Sequence, residues 1–164
     1  RQEVKLGAFS KQRSLEFLRL GFEQVGMSPS EGTLELAAEK FGGIVGWLTY
    51  FGFQAWKRGF VSEELVEEVF EMAVKQSLME LEHFLHSRGV ASKRYRAVLK
   101  AVAEGATRWS EIKRRLEAVE GREIPSSTFS KALEKLVKAS LLEEVERGRY
   151  AIPDPVLKEA AKRL

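Results

Sequence analysis

His83 and His86 stand three residues apart in a helical stretch with Glu80 and Glu82 beside them, which is the nearest this 164-residue sequence comes to half a metal site. No further ligands are evident elsewhere, and there is no cysteine, so two surface histidines are the better reading. The missing thiols also exclude disulfide frameworks, thiolate zinc sites and cysteine nucleophiles. Glu63, Glu64, Glu67, Glu68 and Glu71 form a carboxylate cluster that could suggest acid chemistry. They follow the capping residue Ser62 and leave an apolar stripe intact, the pattern of a solvated helix face. A Ser/His/Asp set would need Asp154, the only aspartate, which sits beside Pro155 in a late turn. Neither a GxxxxGK[ST] phosphate loop nor a GxSxG elbow occurs. No catalytic and no metal-binding residue is therefore assigned.

Cationic surface is the other chemistry on offer. The net charge of +3 is unevenly spread: residues 1–92 hold 10 Lys/Arg against 13 Asp/Glu, and residues 93–164 hold 17 against 11. A basic half is the electrostatic footprint of nucleic-acid binding, and equally of a solvated surface rich in lysine. On a helical wheel over residues 126–139, Phe129, Leu133, Leu136 and Val137 turn inward. Ser127, Lys131, Glu134, Lys135 and Lys138 are left facing solvent. Hydroxyls and lysines suit phosphate contacts. The face has no Arg, Asn or Gln for bidentate base contacts, and Glu134 would repel a phosphate backbone. Arg147 and Arg149, with Lys113, Arg114 and Arg115 on the preceding helix, could add phosphate contacts. Docking of a protein partner through the same face is the competing reading.

The elements that must position these residues are mostly helices. Ser10 precedes a helix with Leu15, Leu18, Phe22 and Val25 inward, ended by Gly26. Ser30 caps a second helix carrying Leu34, Ala37, Ala38 and Phe41, closed by Gly42-Gly43. A third, from about Gly46 to Lys57, is apolar on most sides and is expected to be the buried centre of a four-helix bundle. Trp47, Trp56 and Trp109 are expected in cores. Ser62 opens the longest helix, which runs nearly to Arg88 with Glu63 and Glu64 at its positive end.

Beyond residue 90 the pattern changes. Ser92 caps a helix through Tyr95, Val98, Leu99, Val102 and Ala103, and a second carries Ile112, Leu116 and Val119. The third is the 126–139 segment. Leu142–Glu146 and Tyr150–Ile152 read as strands joined across Arg147-Gly148-Arg149, and Asp154-Pro155 starts a last helix. Three helices and a hairpin give the order of a winged helix-turn-helix. The expected fold is mainly α: a bundle over residues 1–90, then a winged helix over 91–164.

Asparagine is absent while Lys, Arg and Glu abound, a composition that suggests a hot-living source. No apolar run is long enough to span a membrane, and the N-terminus carries Arg1, Glu3 and Lys5 without an apolar stretch behind them. The expectation is a cytoplasmic protein. Opening on Arg1, the chain is expected to be a piece of something longer.

Several segments resemble a family. Leu6-Gly-Ala-Phe9-Ser10, Glu16-Phe17-Leu18 and Gly42-Gly43-Ile44-Val45-Gly46-Trp47-Leu48 are similar to the lid subdomain of archaeal STAND/AAA+-type P-loop ATPases. Arg108-Trp109-Ser110-Glu111-Ile112-Lys113, Ser127-Thr128-Phe129-Ser130 and Tyr150-Ala-Ile-Pro-Asp154-Pro155-Val156-Leu157 resemble their C-terminal winged helix. The resemblance spans essentially the whole chain, in the family's order. It implies a bundle that is lid-like, and an ATPase core before Arg1 that binds ATP and magnesium with residues not in this chain. It also implies that Gly43 and Val45 lie near the nucleotide. The family usually has proline where this sequence has Val45, so a rigid contact is lost and a backbone N–H regained.

Three functions compete. The chain is the lid and winged-helix arm of an ATPase, coupling nucleotide state to a protein or double-stranded DNA partner. Alternatively it is a stand-alone winged-helix DNA-binding regulator with a dimerising bundle, or a protein-docking scaffold module.

Overall fold

The computed structural model describes residues 7–164; Leu6 of the lid-like motif and the opening charges Arg1, Glu3 and Lys5 lie outside them. The fold is mainly α, with eight helices and one antiparallel hairpin among the described residues. Two compact units meet in sequence at Ala73/Val74.

The first unit holds α1 (Lys11–Gln24), α2 (Glu31–Phe41), α3 (Val45–Arg58) and the start of α4 (Glu63–His86). Hydroxyl caps set the helix starts. Ser10 Oγ accepts from Arg13 N at 3.1 Å, Ser30 Oγ from Thr33 N at 3.2 Å, and Ser62 Oγ from Leu65 N at 3.1 Å. The core is aromatic: Phe22 meets Phe51 edge-on at 5.9 Å, and Phe41 lies 5.8 Å from Phe51 and 6.0 Å from Phe70.

The third helix departs from expectation. Only Leu48, Phe51 and Ala55 of α3 are buried, one stripe at helical spacing, while Phe53 is 52% and Trp56 56% exposed. Its neighbours cover one face of the helix and leave the other apolar face open. Trp56 is therefore not a core residue, and Trp47 is half-buried. Val25 also lies outside, because it is the residue that ends α1 rather than part of its inward stripe.

The second unit takes in the rest of α4, then a 3₁₀ turn (Gly89–Ala91), α5 (Ser92–Ala103), α6 (Trp109–Glu120), α7 (Ser126–Lys138), β1 (Glu143–Glu146), β2 (Arg149–Ala151) and α8 (Pro155–Lys162). The division between the compact units falls inside α4. The reason is packing: Leu81 and Leu85 at the end of α4 are buried with Tyr95, Leu99, Phe129 and Leu136 in the winged-helix core. Ser92 does not cap α5, because the 3₁₀ turn delivers the chain already in helical conformation. On α6, Ile112 and Leu116 are buried, whereas Val119 is 72% exposed. The hairpin pairs Glu143 with Ala151 and Glu144 with Tyr150, with a bulge before Glu146–Arg149. Asp154 Oδ1 accepts from Val156 N at 2.9 Å and Leu157 N at 3.3 Å, and Pro155 begins α8.

No helix among the described residues is long and apolar enough to cross a membrane.

Candidate functional site

α7 presents the expected face. Phe129, Ala132, Leu133 and Leu136 are buried, and Ser127, Lys131, Glu134, Lys135 and Lys138 are exposed. Two neighbours fix its orientation. The Trp109 ring meets Phe129 edge-on at 5.2 Å, and its Nε1 donates to Ser130 Oγ at 3.3 Å. In the connection before α7, the Glu117 carboxylate accepts from Ile124 N at 2.8 Å and from Lys113 Nζ at 3.1 Å. Those two donors, the Ile124 N–H foremost, hold the Glu117 carboxyl below its ordinary value. Arg94 donates through Nε and Nη2 to both oxygens of Glu120, at 2.9 and 3.0 Å, tying the start of α5 to the end of α6. That fork holds the Glu120 carboxyl low and the Arg94 guanidinium high, against the opposing effect of burial.

Backbone bonds seat the wing. Trp109 N donates to Gly148 O at 2.9 Å, and Tyr150 N donates to Thr107 O at 2.8 Å. Arg108 pairs with Arg149 as an isolated antiparallel bridge. Arg108, Arg147 and Arg149 are thereby gathered at the wing; sequence patterning missed Arg108, because only the long-range bridge places it there. Lys113 and Arg115, by contrast, are engaged with Glu117 at 3.1 Å and Glu104 at 3.6 Å, which reduces what the preceding helix offers an anion. Lys131, Lys135, Lys138, Arg147 and Arg149 have no ion pair among the described residues.

Acidic groups interrupt this surface. All four residues of β1 are exposed, three of them glutamates. Tyr150 is buried, and its hydroxyl is pushed up first by burial and then by the carboxylates of Glu144 and Glu134. Glu134 on α7 and Glu144 on the wing therefore sit close enough to act on one phenol. Carboxylates thus stand among the cations: Glu134 shares the exposed face of α7 with Lys131 and Lys138, and Glu144 accepts from Gly148 N at 3.1 Å at the hairpin turn. Such a surface can hold phosphates at its edges and offers little for reading bases between them.

The second candidate lies in the first unit. Gly42 and Gly43 turn with φ 59° and 76°, and Phe9 N donates to Gly43 O at 2.9 Å. Gly43 is buried beneath that segment, and a Cβ there would lie 2.1 Å from Phe9 O. Glycine is required for both the turn and the approach. A cleft of about 300 Å³ beside the turn is lined by Phe9, Lys11, Ser14, Ala38, Glu39, Gly42 and Gly43. Val45 begins α3, is 38% exposed and does not line this cleft.

Among the described residues no three His, Asp or Glu side chains gather as a metal site, and His83 and His86 are both exposed. Two of the clustered carboxylates make surface pairs, Glu67 with Lys40 at 3.1 Å and Glu68 with Arg58 at 2.8 Å.

Residues 89–152 match the family model of the MCM protein C-terminal winged helix-turn-helix domain. Among solved structures the chain is similar to the Walker-type ATPase PABY2304 of Pyrococcus abyssi, at 34% identity and a TM-score of 0.79. That likeness covers 96% of this chain, which spans 43% of the length of the ATPase. No protein of curated function matches the sequence. The second unit is a winged-helix domain, and the chain resembles part of an archaeal ATPase.

Proposed function

We propose that this chain is the lid and winged-helix arm of an archaeal P-loop ATPase of STAND/AAA+ type, and that it carries nucleotide state to a partner held by the winged helix. The observation that carries this reading is the likeness to less than half of a Walker-type ATPase at 34% identity, in a sequence with no GxxxxGK[ST] of its own. ATP and magnesium are held by a core outside these residues. The cleft beside Gly43 is this chain's own contribution to the nucleotide's surroundings. A lid that contacts nucleotide at one end and continues into a partner-binding module can shift that module between two states.

The test is made on the full-length ATPase, with spin labels on cysteines introduced at Glu35 in α2 and Lys158 in α8, both exposed. A different label-to-label distance distribution with ATP than with ADP is expected. Identical distributions through binding and hydrolysis refute the coupling.

A second reading, DNA binding through α7 and the wing, is favoured by the five cations there that have no ion pair among the described residues. Titration with generic duplex DNA tests it: affinity should fall steeply with salt. No measurable binding at low salt leaves a protein as the partner.

A further inference from the structure

Beside the last turn of α7 lies a cleft of about 310 Å³ lined by Phe84, Arg88, Tyr95, Lys135, Lys138 and Ala139. Three of its six lining residues are cations and none is acidic. Arg88, Lys135 and Lys138 are all exposed, and none has an ion pair among the described residues. Glu134, four residues before Lys138, is the nearest carboxylate in sequence and is not paired with it. Like charges gathered on one cleft repel unless an anion sits among them.

The walls favour one kind of anion. The Arg88 guanidinium carbon lies 4.3 Å from the Phe84 ring centroid, a cation–π contact that holds its planar N–H fork at this wall. An edge held in that way matches two oxygens of one phosphate, and two ammonium groups add charge without demanding a set geometry. Tyr95, 5% exposed, gives the cleft an apolar side that weakens screening by water. Lys138, Lys135 and Lys131 also continue as one row along α7, spanning about 10 Å of helix.

We propose that Arg88, Lys135 and Lys138 form a phosphate-binding cleft that grips a nucleic-acid backbone at the end of α7. It lies at the opposite end of α7 from Ser127, which is about 16 Å back along the helix from Lys138. The inference rests on the winged helix being the partner-binding part of the chain. It does not need nucleotide coupling, so identical label distances in the ATPase leave it standing.

The experiment uses the whole chain and a generic duplex of about two helical turns, titrated at several salt concentrations. Each phosphate contact adds a slope of about 0.9 in log K against log salt, so two contacts contribute roughly 60-fold at 0.1 M. Arg88→Ala with Lys138→Ala should bind about 60-fold more weakly with a slope shallower by about two. Arg88→Lys should recover part of the affinity, and Lys158→Ala on α8 should change nothing. Far-UV circular dichroism confirms that the variants keep their helices.

Inorganic phosphate at constant ionic strength separates the sources of the group, read from the amide resonances of residues 84–88 and 135–139. Shifts there with reduced duplex affinity in the double variant support the proposal. Shifts with unchanged duplex affinity remove nucleic acid as the source. A double variant within twofold of the parent, with no phosphate-dependent shifts, overturns the cleft. Binding of poly-glutamate in preference to duplex overturns it too, in favour of an acidic protein.

Discussion

Gly43→Ala isolates the close approach at the turn between α2 and α3. Gly59 supplies the reference, because it has φ 80° and nothing within 4 Å of the place a Cβ would occupy. Gly59→Ala should therefore cost only the left-handed backbone, about 1–2 kcal/mol. At Gly43 the same cost applies, and the new Cβ also lies 2.1 Å from Phe9 O and 3.0 Å from Phe9 N and C. These are backbone atoms, so the segment must lift away. Lifting breaks the Phe9 N to Gly43 O bond, worth about 0.5–1.5 kcal/mol. It also disturbs the 5.8 Å edge contact of Phe9 with Phe17 and the Arg13 guanidinium 4.7 Å over the Phe9 ring. Each of those contacts is worth roughly 0.5–1 kcal/mol at an exposed site. Gly43→Ala should thus cost roughly 2–3 kcal/mol more than Gly59→Ala. Trp47 and Trp56 belong to the first unit and Trp109 to the second, so in a Trp109→Phe background urea unfolding by fluorescence reads the first unit. Hydrogen exchange at the Phe9 amide should accelerate in Gly43→Ala and not in Gly59→Ala. Equal costs within about 0.5 kcal/mol, with unchanged Phe9 protection, refute the argument.

The open face of α3 makes a sharp contrast: Phe51→Ala should cost about 3–5 kcal/mol by core truncation, whereas Phe53→Ala should cost under about 1 kcal/mol by the same denaturation assay. Trp109→Phe keeps the edge contact with Phe129 but loses the bond to Ser130 Oγ, so winged-helix stability should fall by about 1 kcal/mol. Glu82, Glu117 and Glu120 all have carboxyls held below the ordinary value of 4.5 in the folded chain. Their stabilisation is present above that value and is lost as pH falls through the lower folded values. Glu120→Gln should therefore lower the melting temperature at neutral pH, and the gap to the parent should close as acid protonates the lowered Glu120 carboxyl; a constant gap refutes the ion-pair origin. Lys131→Glu with Arg149→Glu should abolish duplex binding while leaving the helical signal intact, and unchanged affinity removes both residues from the interface.

Local chemistry made much of this chain legible from sequence. Hydroxyl caps at Ser10, Ser30 and Ser62, the Asp154-Pro155 start and the periodicity of 126–138 act within one or two turns, so the residues themselves determine those elements. The same periodicity put Lys131, Lys135 and Lys138 on one exposed face, because the buried side of α7 left no other arrangement. What depends on residues far apart in sequence was decided by tertiary structure alone. α3 is apolar nearly all round, and only packing shows that its neighbours leave Phe53 and Trp56 open. The compact units divide within α4 because Leu81 and Leu85 found their partners in α5 and α7. Arg108 reached the wing through a backbone bridge that spans 41 positions of sequence, from 108 to 149. Arg88 met Lys135 and Lys138 only when the end of α4 packed beside α7. Periodicity reports which side of a helix is inward; it carries no information about which distant side chains share the space outside.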